Sequence, residues 1–247
     1  MSDYAELNYL LDLFKPDPVW IEQVKKRHRA ICDNTATEYI PLLSVPTEEI
    51  ILPEYNKYKH WNLREQFYDK EKMLIEHLWN MISVSRVKMD LLPNIRVNFG
   101  VGTIPSIFGI KERFVQDNQM PWTDKYLTKE EIIQLDVPSK ISEAGFLPKI
   151  REYIEYFISK LGTNEFIYVS DTQGPFDIAH LLRGSDIYMD IYDDPKFVHS
   201  LMEIATQAYI EFTKTNKKIM VWWKKTDHIQ KIIGQDFDEG VHSGHFF

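Results

Sequence analysis

A single cysteine, Cys32, stands among 247 residues. It excludes an intrachain disulfide and any Cys-x-x-Cys zinc site. Basic residues are outnumbered, with a net charge of −8. That balance argues against a nucleic-acid backbone or an anionic membrane surface as the main partner. The short basic clusters, Lys25-Lys26-Arg27, Lys217-Lys218 and Lys224-Lys225, read as solvated helix faces. No apolar run approaches the ~18 residues of a membrane span. The opening MSDYAELNYLLDLF is acidic and lacks the basic start of a signal peptide. A reducing, cytoplasmic location is therefore the expectation. Internal repeats, low-complexity tracts and linkers are missing as well.

What is present is a regular order of elements. Leu7, Leu10, Leu11 and Phe14 recur at helical spacing. Asp17 and Pro18 then open a second helix, with Trp20, Val24 and Ile31 on one face. Cys32, beside Ile31, is expected to be buried and inert. Tyr39-Ile40-Pro41-Leu42-Leu43 reads as an edge or irregular strand. Residues 63–89 read as one long helix, through Phe67, Leu74, Leu78 and Met81. Ile95 to Phe99 reads as a strand. It leads into a glycine-rich loop, Asn98 to Gly109. Residues 110–145 read as loop and short helix. A helix follows over 146–161, closed by Gly162. The cap Asp193-Asp194-Pro195 starts the last helix, and residues 219–223 fit strand or helix equally. Helices alternating with strands predict a parallel α/β architecture.

Residues 166–184, FIYVSDTQGPFDIAHLLRG, are the most informative stretch. An apolar strand runs from Phe166 to Ser170. A turn at Asp171-Thr172-Gln173-Gly174 leads to a helix opening at Pro175. In α/β folds such turns at the carboxyl ends of strands point at the ligand. The candidate catalytic groups are Asp171, Asp177 and His180. A carboxylate at a strand end can bind a cation or move a proton. Asp177 equally fits a stabilising charge in the first helical turn. His180 reads as a proton carrier at the pocket rim or as a satisfied structural histidine. Candidate substrate contacts are Gln173, Gly174 and Phe176, with Asn98, Phe99, Gly100 and Gly102 in the glycine-rich loop. Glycines there let backbone N–H groups approach a ligand. That loop is neither a Walker nor a dinucleotide pattern. Asp236, Asp238, Glu239, His242 and His245 form an acid–histidine cluster read as a solvated end, and no metal site is assigned.

Gly174-Pro175-Phe176-Asp177-Ile178-Ala179, closed by Gly184, resembles the Gly-x-Pro-aromatic-Thr signature of the uroporphyrinogen decarboxylase superfamily. Asp193-Asp194-Pro195 with Val198, His199 and Leu201 is similar to a helix start common there. The Asn98–Gly109 loop is similar to one in its uncharacterised and methyltransferase-like branches. The resemblance runs from about residue 20 to 215. It implies a (β/α)₈ TIM-barrel over 1–247, with N-terminal helices in 1–34. The family barrel is longer than this chain, so the resemblance implies that its last strands lie beyond Phe247. They would come from a longer protein, from a second copy covering the open edge, or from a partner; a rearranged fold is the other option.

The resemblance also frames function. The decarboxylase branch carries an N-terminal motif whose arginine binds substrate carboxylates. Here Pro41-Leu42-Leu43-Ser44-Val45-Pro46 has none. Asn98 stands near where that branch has its catalytic aspartate, and Asp177 replaces the usual threonine. These departures favour a corrinoid-linked methyltransferase acting on a small methyl donor or thiol. The alternatives are decarboxylation of uroporphyrinogen or a related acid, and a non-catalytic tetrapyrrole- or corrinoid-binding module or remnant. The implied cofactors are a corrinoid, and zinc held by residues outside this chain. The implied partners are a small molecule or a corrinoid protein.

Overall fold

A computed structural model describes residues 3–36, 39–44, 47–168 and 170–225, with side chains from 5 to 219. The acid–histidine cluster at 236–245 lies outside them. The chain forms two compact units. The first comprises the described parts of Met1–Trp61 and Glu71–Ile95, the second Asn62–Lys70 and the described part of Arg96–Thr226.

The first unit is helical. It holds α1 (Asp3–Leu13), α2 (Pro18–Cys32) and α3 (Glu48–Ile51). The second unit contributes α4 (Leu63–Tyr68), and α5 (Lys70–Val87) lies almost wholly in the first. Asp17 caps α2 by accepting from the Val19 N–H at 2.9 Å, with Pro18 in the first turn. Trp20 and Val24 face the core, as expected. Ile31 does not: it is 50% exposed, and Cys32 beside it is exposed too. The last turn of α2 leaves the buried stripe, so the thiol is open to solvent rather than buried.

The expected strand at Tyr39–Leu43 does not form. Its Leu42 N–H, which a ladder would use, donates to Asp90 Oδ2 at 3.1 Å. Pro41 has no N–H to give, and Ile40 is 91% exposed. Asp90 also accepts from Arg27 Nε at 2.7 Å and from the Tyr39 hydroxyl at 3.2 Å. Burial opposes its ionisation, but these donors outweigh it and hold the carboxyl below its ordinary range. Asp90→Ala removes about 1.5–3 kcal/mol of charge-assisted hydrogen bonding. Limited proteolysis within 39–44 is expected to speed up roughly tenfold or more. An unchanged cleavage rate would show that Asp90 does not hold the segment.

The single helix expected over 63–89 is two. It breaks at Asp69, whose backbone is extended (φ −136°, ψ 109°). Aspartate tolerates this because its short polar side chain favours non-helical backbone. Asn62 and Glu65 make a reciprocal capping box at the start of α4.

The second unit carries the candidate site. β1 (Ile95–Arg96) pairs with β4 (Ile167–Tyr168). Between them lie a 3-10 turn at Pro105–Phe108 and the hairpin β2 (Glu112–Arg113) and β3 (Trp122–Thr123). That hairpin is antiparallel, with Glu112 opposite Thr123, and is absent from the expectation for 110–145. α6 (Lys129–Ile133) and α7 (Leu147–Leu161) follow, with Gly162 closing α7 in the left-handed region. After β4 come α8 (Pro175–Arg183), α9 (Ile187–Asp193) and α10 (Pro195–Lys225). Asp194 caps α10 as expected, accepting from the Phe197 N–H at 3.2 Å. Residues 219–223 continue that helix. Phe197, Leu201, Ala205, Ala208 and Phe212 form its buried stripe, and α10 packs against α8 and α9.

All four strands have two residues each. Among the described residues the sheets are two strand pairs and no barrel closes, less sheet than the expected incomplete (β/α)₈ barrel. A ladder extends only while both backbones find partners, and the 39–44 segment finds its own in Asp90. No helix among the described residues is long and apolar enough to cross a membrane.

Candidate functional site

The turn after β4 is built from local rules. Ser170 is buried, at 2% exposure, and its hydroxyl has no hydrogen-bond partner among the described residues. Gly174 takes an extended backbone (φ −64°, ψ 159°) and stands at the N-cap of α8. Pro175 occupies the first turn, where a missing N–H costs nothing.

Asp171 is held from two sides. Its Oδ1 lies 3.4 Å from Arg96 Nη1, and its Oδ2 accepts from Gln173 Nε2 at 3.4 Å. Arg96 ends β1 and Asp171 follows β4, so the pairing of these two strands brings guanidinium and carboxylate together. Both side chains keep access to solvent, at 43% and 33%. The group can therefore offer a ligand a guanidinium donor and a carboxylate acceptor.

Phe176, Asp177 and His180 lie further along. Phe176 is 39% exposed, and its ring centre is 6.1 Å from that of Tyr188, itself 50% exposed. The half-buried His180 ring is 5.5 Å from Tyr188. Phe176, His180 and Tyr188 thus make an aromatic shelf on α8 and α9. Asp177 is exposed in the first turn of α8.

The glycine-rich loop sits differently. The Asn98 side chain accepts from the Gly100 N–H at 3.1 Å, and Thr103 donates to the Gly100 carbonyl at 2.7 Å. Asn98 thereby shapes a turn. Gly100 has φ +75°, and a Cβ there would lie 2.9 Å from the Pro121 carbonyl oxygen. Gly100 and Gly102 are buried. Phe99 is 1% exposed among Phe67, Phe146 and Tyr153, with ring centres 4.8–5.8 Å away. The structure thus joins Asp171 to Gln173, and Phe176 to His180 through Tyr188. It sets Phe99, Gly100 and Gly102 into the packed interior of their loop.

Arg96 and Tyr188 are the residues that sequence reasoning missed. Arg96 had one local signal, its place in the strand that runs into the glycine-rich loop. Tyr188 had none. No three His, Cys, Asp or Glu side chains converge on a metal position among the described residues.

The chain is similar in fold to a methyltransferase from Methanosarcina mazei. The TM-score is 0.59 at 18% identity, over 79% of this chain and 56% of that one. The chain thus spans little more than half the length of that structure. No curated protein matches it. The uroporphyrinogen decarboxylase family model matches residues 24–218, a span that takes in α2, β1, the Asp171 turn and most of α10, and the chain belongs to that family.

Proposed function

We propose that the chain is the substrate-binding part of a corrinoid-linked methyltransferase of the uroporphyrinogen decarboxylase family, acting on a small methyl donor or thiol. The observation that carries this reading is the half-open Asp171 group, held by Arg96 and Gln173 just before an exposed aromatic shelf. The fold likeness to a methyltransferase supports it.

The shelf fits a corrinoid: the partly exposed rings of Phe176 and Tyr188 offer an apolar face to a flat macrocycle. When bound, a corrinoid supplies a transferable methyl group. The chain's own residues do the rest. Arg96 and Gln173 fix the carboxylate orientation. Asp171 can accept a proton at Oδ2 from an acceptor group as it becomes nucleophilic. Arg96 can pair with an anionic part of the ligand. The described donors do not fit zinc, since no three of them converge.

Labelled-methyl transfer from methylcobalamin to a small thiol, with an absorbance titration of hydroxocobalamin, tests this. Absence of both binding and transfer would overturn the reading. Asp171→Asn is expected to slow transfer about 100-fold, in line with loss of a proton acceptor. Arg96→Ala is expected to slow it about 10-fold or more, through loss of the guanidinium that orients Asp171 and pairs with the ligand. Stability should change by less than about 1 kcal/mol, because the pair is exposed. Loss of activity explained wholly by unfolding would count against the assignment.

One observation favours a second reading. Arg96 presents a guanidinium beside Asp171, an arrangement suited to a carboxylate substrate. Release of carbon dioxide from uroporphyrinogen would establish decarboxylation.

A further inference from the structure

Lys149 stands in the first turn of α7 and is half-buried. Its Nζ lies 4.3 Å from the ring centre of Phe67, 4.8 Å from Tyr68, 5.0 Å from Phe99 and 5.6 Å from Tyr153. Among the described residues its ammonium meets rings rather than a carboxylate. Two acids face it, Glu112 on β2 and Glu152 on its own helix α7. Each is engaged elsewhere: Glu112 accepts from the Tyr68 hydroxyl at 2.8 Å, and Glu152 from Lys70 Nζ at 2.6 Å. The Tyr153 hydroxyl donates to the Phe67 carbonyl at 3.0 Å.

The ring faces attract the cation. They supply little of the hydrogen bonding that three N–H donors require. The start of α7 adds a field of the same sign as the ammonium, which disfavours it. Burial pushes the Lys149 ammonium below the ordinary lysine range, with Glu112 and Glu152 opposing that shift. A neutral, flat group on this nitrogen would suit the aromatic walls and would relieve the desolvated charge.

We infer that Lys149 is a covalent modification site, an amine that accepts acyl groups from acyl phosphates or thioesters. The lone pair of the neutral amine attacks the carbonyl carbon and forms a C–N bond. The C–O bond to phosphate, or the C–S bond to the thiolate, breaks and the leaving group takes the electron pair. The amine proton passes to solvent, and an uncharged amide remains in the ring box. Acylation removes the cation and with it the ring–cation contacts, a charge change of the kind by which lysine acetylation acts.

Acetyl phosphate is the probe. The folded full chain is treated at pH 7–9, and acetylation at each lysine is timed by peptide mass spectrometry. Lys140, whose side chain is 76% exposed, is the reference. Lys149 is expected to react at least about threefold faster than Lys140 at pH 7.5, as a desolvated lysine amine should. Its rate should level off at lower pH, and the advantage should vanish in urea. A Lys149 rate equal to or below that of Lys140 in the folded chain would overturn the inference. So would an advantage that persists in the unfolded chain.

Discussion

Gly145→Ala is expected to cost about 3–5 kcal/mol, the sum of left-handed backbone strain and a forced overpacking. Gly145 has φ +52°. A Cβ there would lie 2.6 Å from the Ser106 carbonyl carbon and 2.7 Å from the Ile107 nitrogen. Both obstacles are backbone of the buried 3-10 turn at Pro105–Phe108, so neither can rotate away as a side chain could. Ser106 is tied further: its hydroxyl donates to the Thr103 carbonyl at 2.6 Å and accepts from the Phe146 N–H at 3.0 Å. The glycine therefore lets the start of α7 sit against the glycine-rich loop. Gly109→Ala is the control. It has φ +82°, yet a Cβ there would meet nothing within 4 Å. It should cost only the strain, about 1–2 kcal/mol. Urea unfolding of the two variants measures the difference. Equal losses would mean that the close approach at Gly145 carries no weight.

Asp190→Ala is expected to lower stability by about 3 kcal/mol, near the low end for breaking a buried ion pair. Asp190 is 5% exposed. Its Oδ2 accepts from Arg183 Nε at 2.8 Å, and its Oδ1 lies 2.8 Å from Lys129 Nζ. Removing it strands two cations that link α6, α8 and α9. The loss is softened because Arg183 keeps Asp186 and the Leu127 carbonyl, and Lys129 keeps Asp194. The pH dependence follows. Burial opposes ionisation of Asp190, yet the hydrogen bonds from Arg183 and Lys129 outweigh it and hold the carboxyl below the ordinary range. The folded value thus lies below the unfolded one. The contribution is complete above the unfolded pKa of about 4 and is lost as pH falls through the folded value. Urea midpoints between pH 7 and 2.5 should fall more gently in Asp190→Asn than in the parent chain. An identical acid limb would show that Asp190 is not a source of the acid sensitivity.

The helices were legible because their signals are local. Asp17 with Pro18, Gly162, Pro175 and Asp194 each mark a boundary through their own backbone preferences and neighbours. Strands were less legible, because a strand exists only with a partner. Tyr39–Leu43 has a strand-like sequence, but Asp90, about fifty residues away, takes the N–H that a ladder would need. Asp69 shows the same limit inside a helical pattern: the period continues through it while the backbone does not.

The candidate site divides along that line. Asp171, Gln173 and Phe176 are neighbours along one turn, and the sequence alone places them together. Arg96 reaches Asp171 only through the pairing of β1 with β4. Phe99 sits in a loop whose glycines suggest ligand contact, yet its ring packs among Phe67, Phe146 and Tyr153. Cys32 follows a helical stripe that α2 leaves at its last turn.

By itself, the sequence determined the helix caps, the single thiol, the strand–turn–helix at Asp171–Gly184 and the family it marks. These depend on residues within a few positions of one another. Tertiary structure alone decided that Arg96 faces Asp171, that Asp190 bridges Arg183 and Lys129, and that four rings from three segments surround Lys149. Those contacts join residues distant in sequence. They form only when burial of the apolar stripes brings their elements together, and no local propensity encodes which side chains then meet.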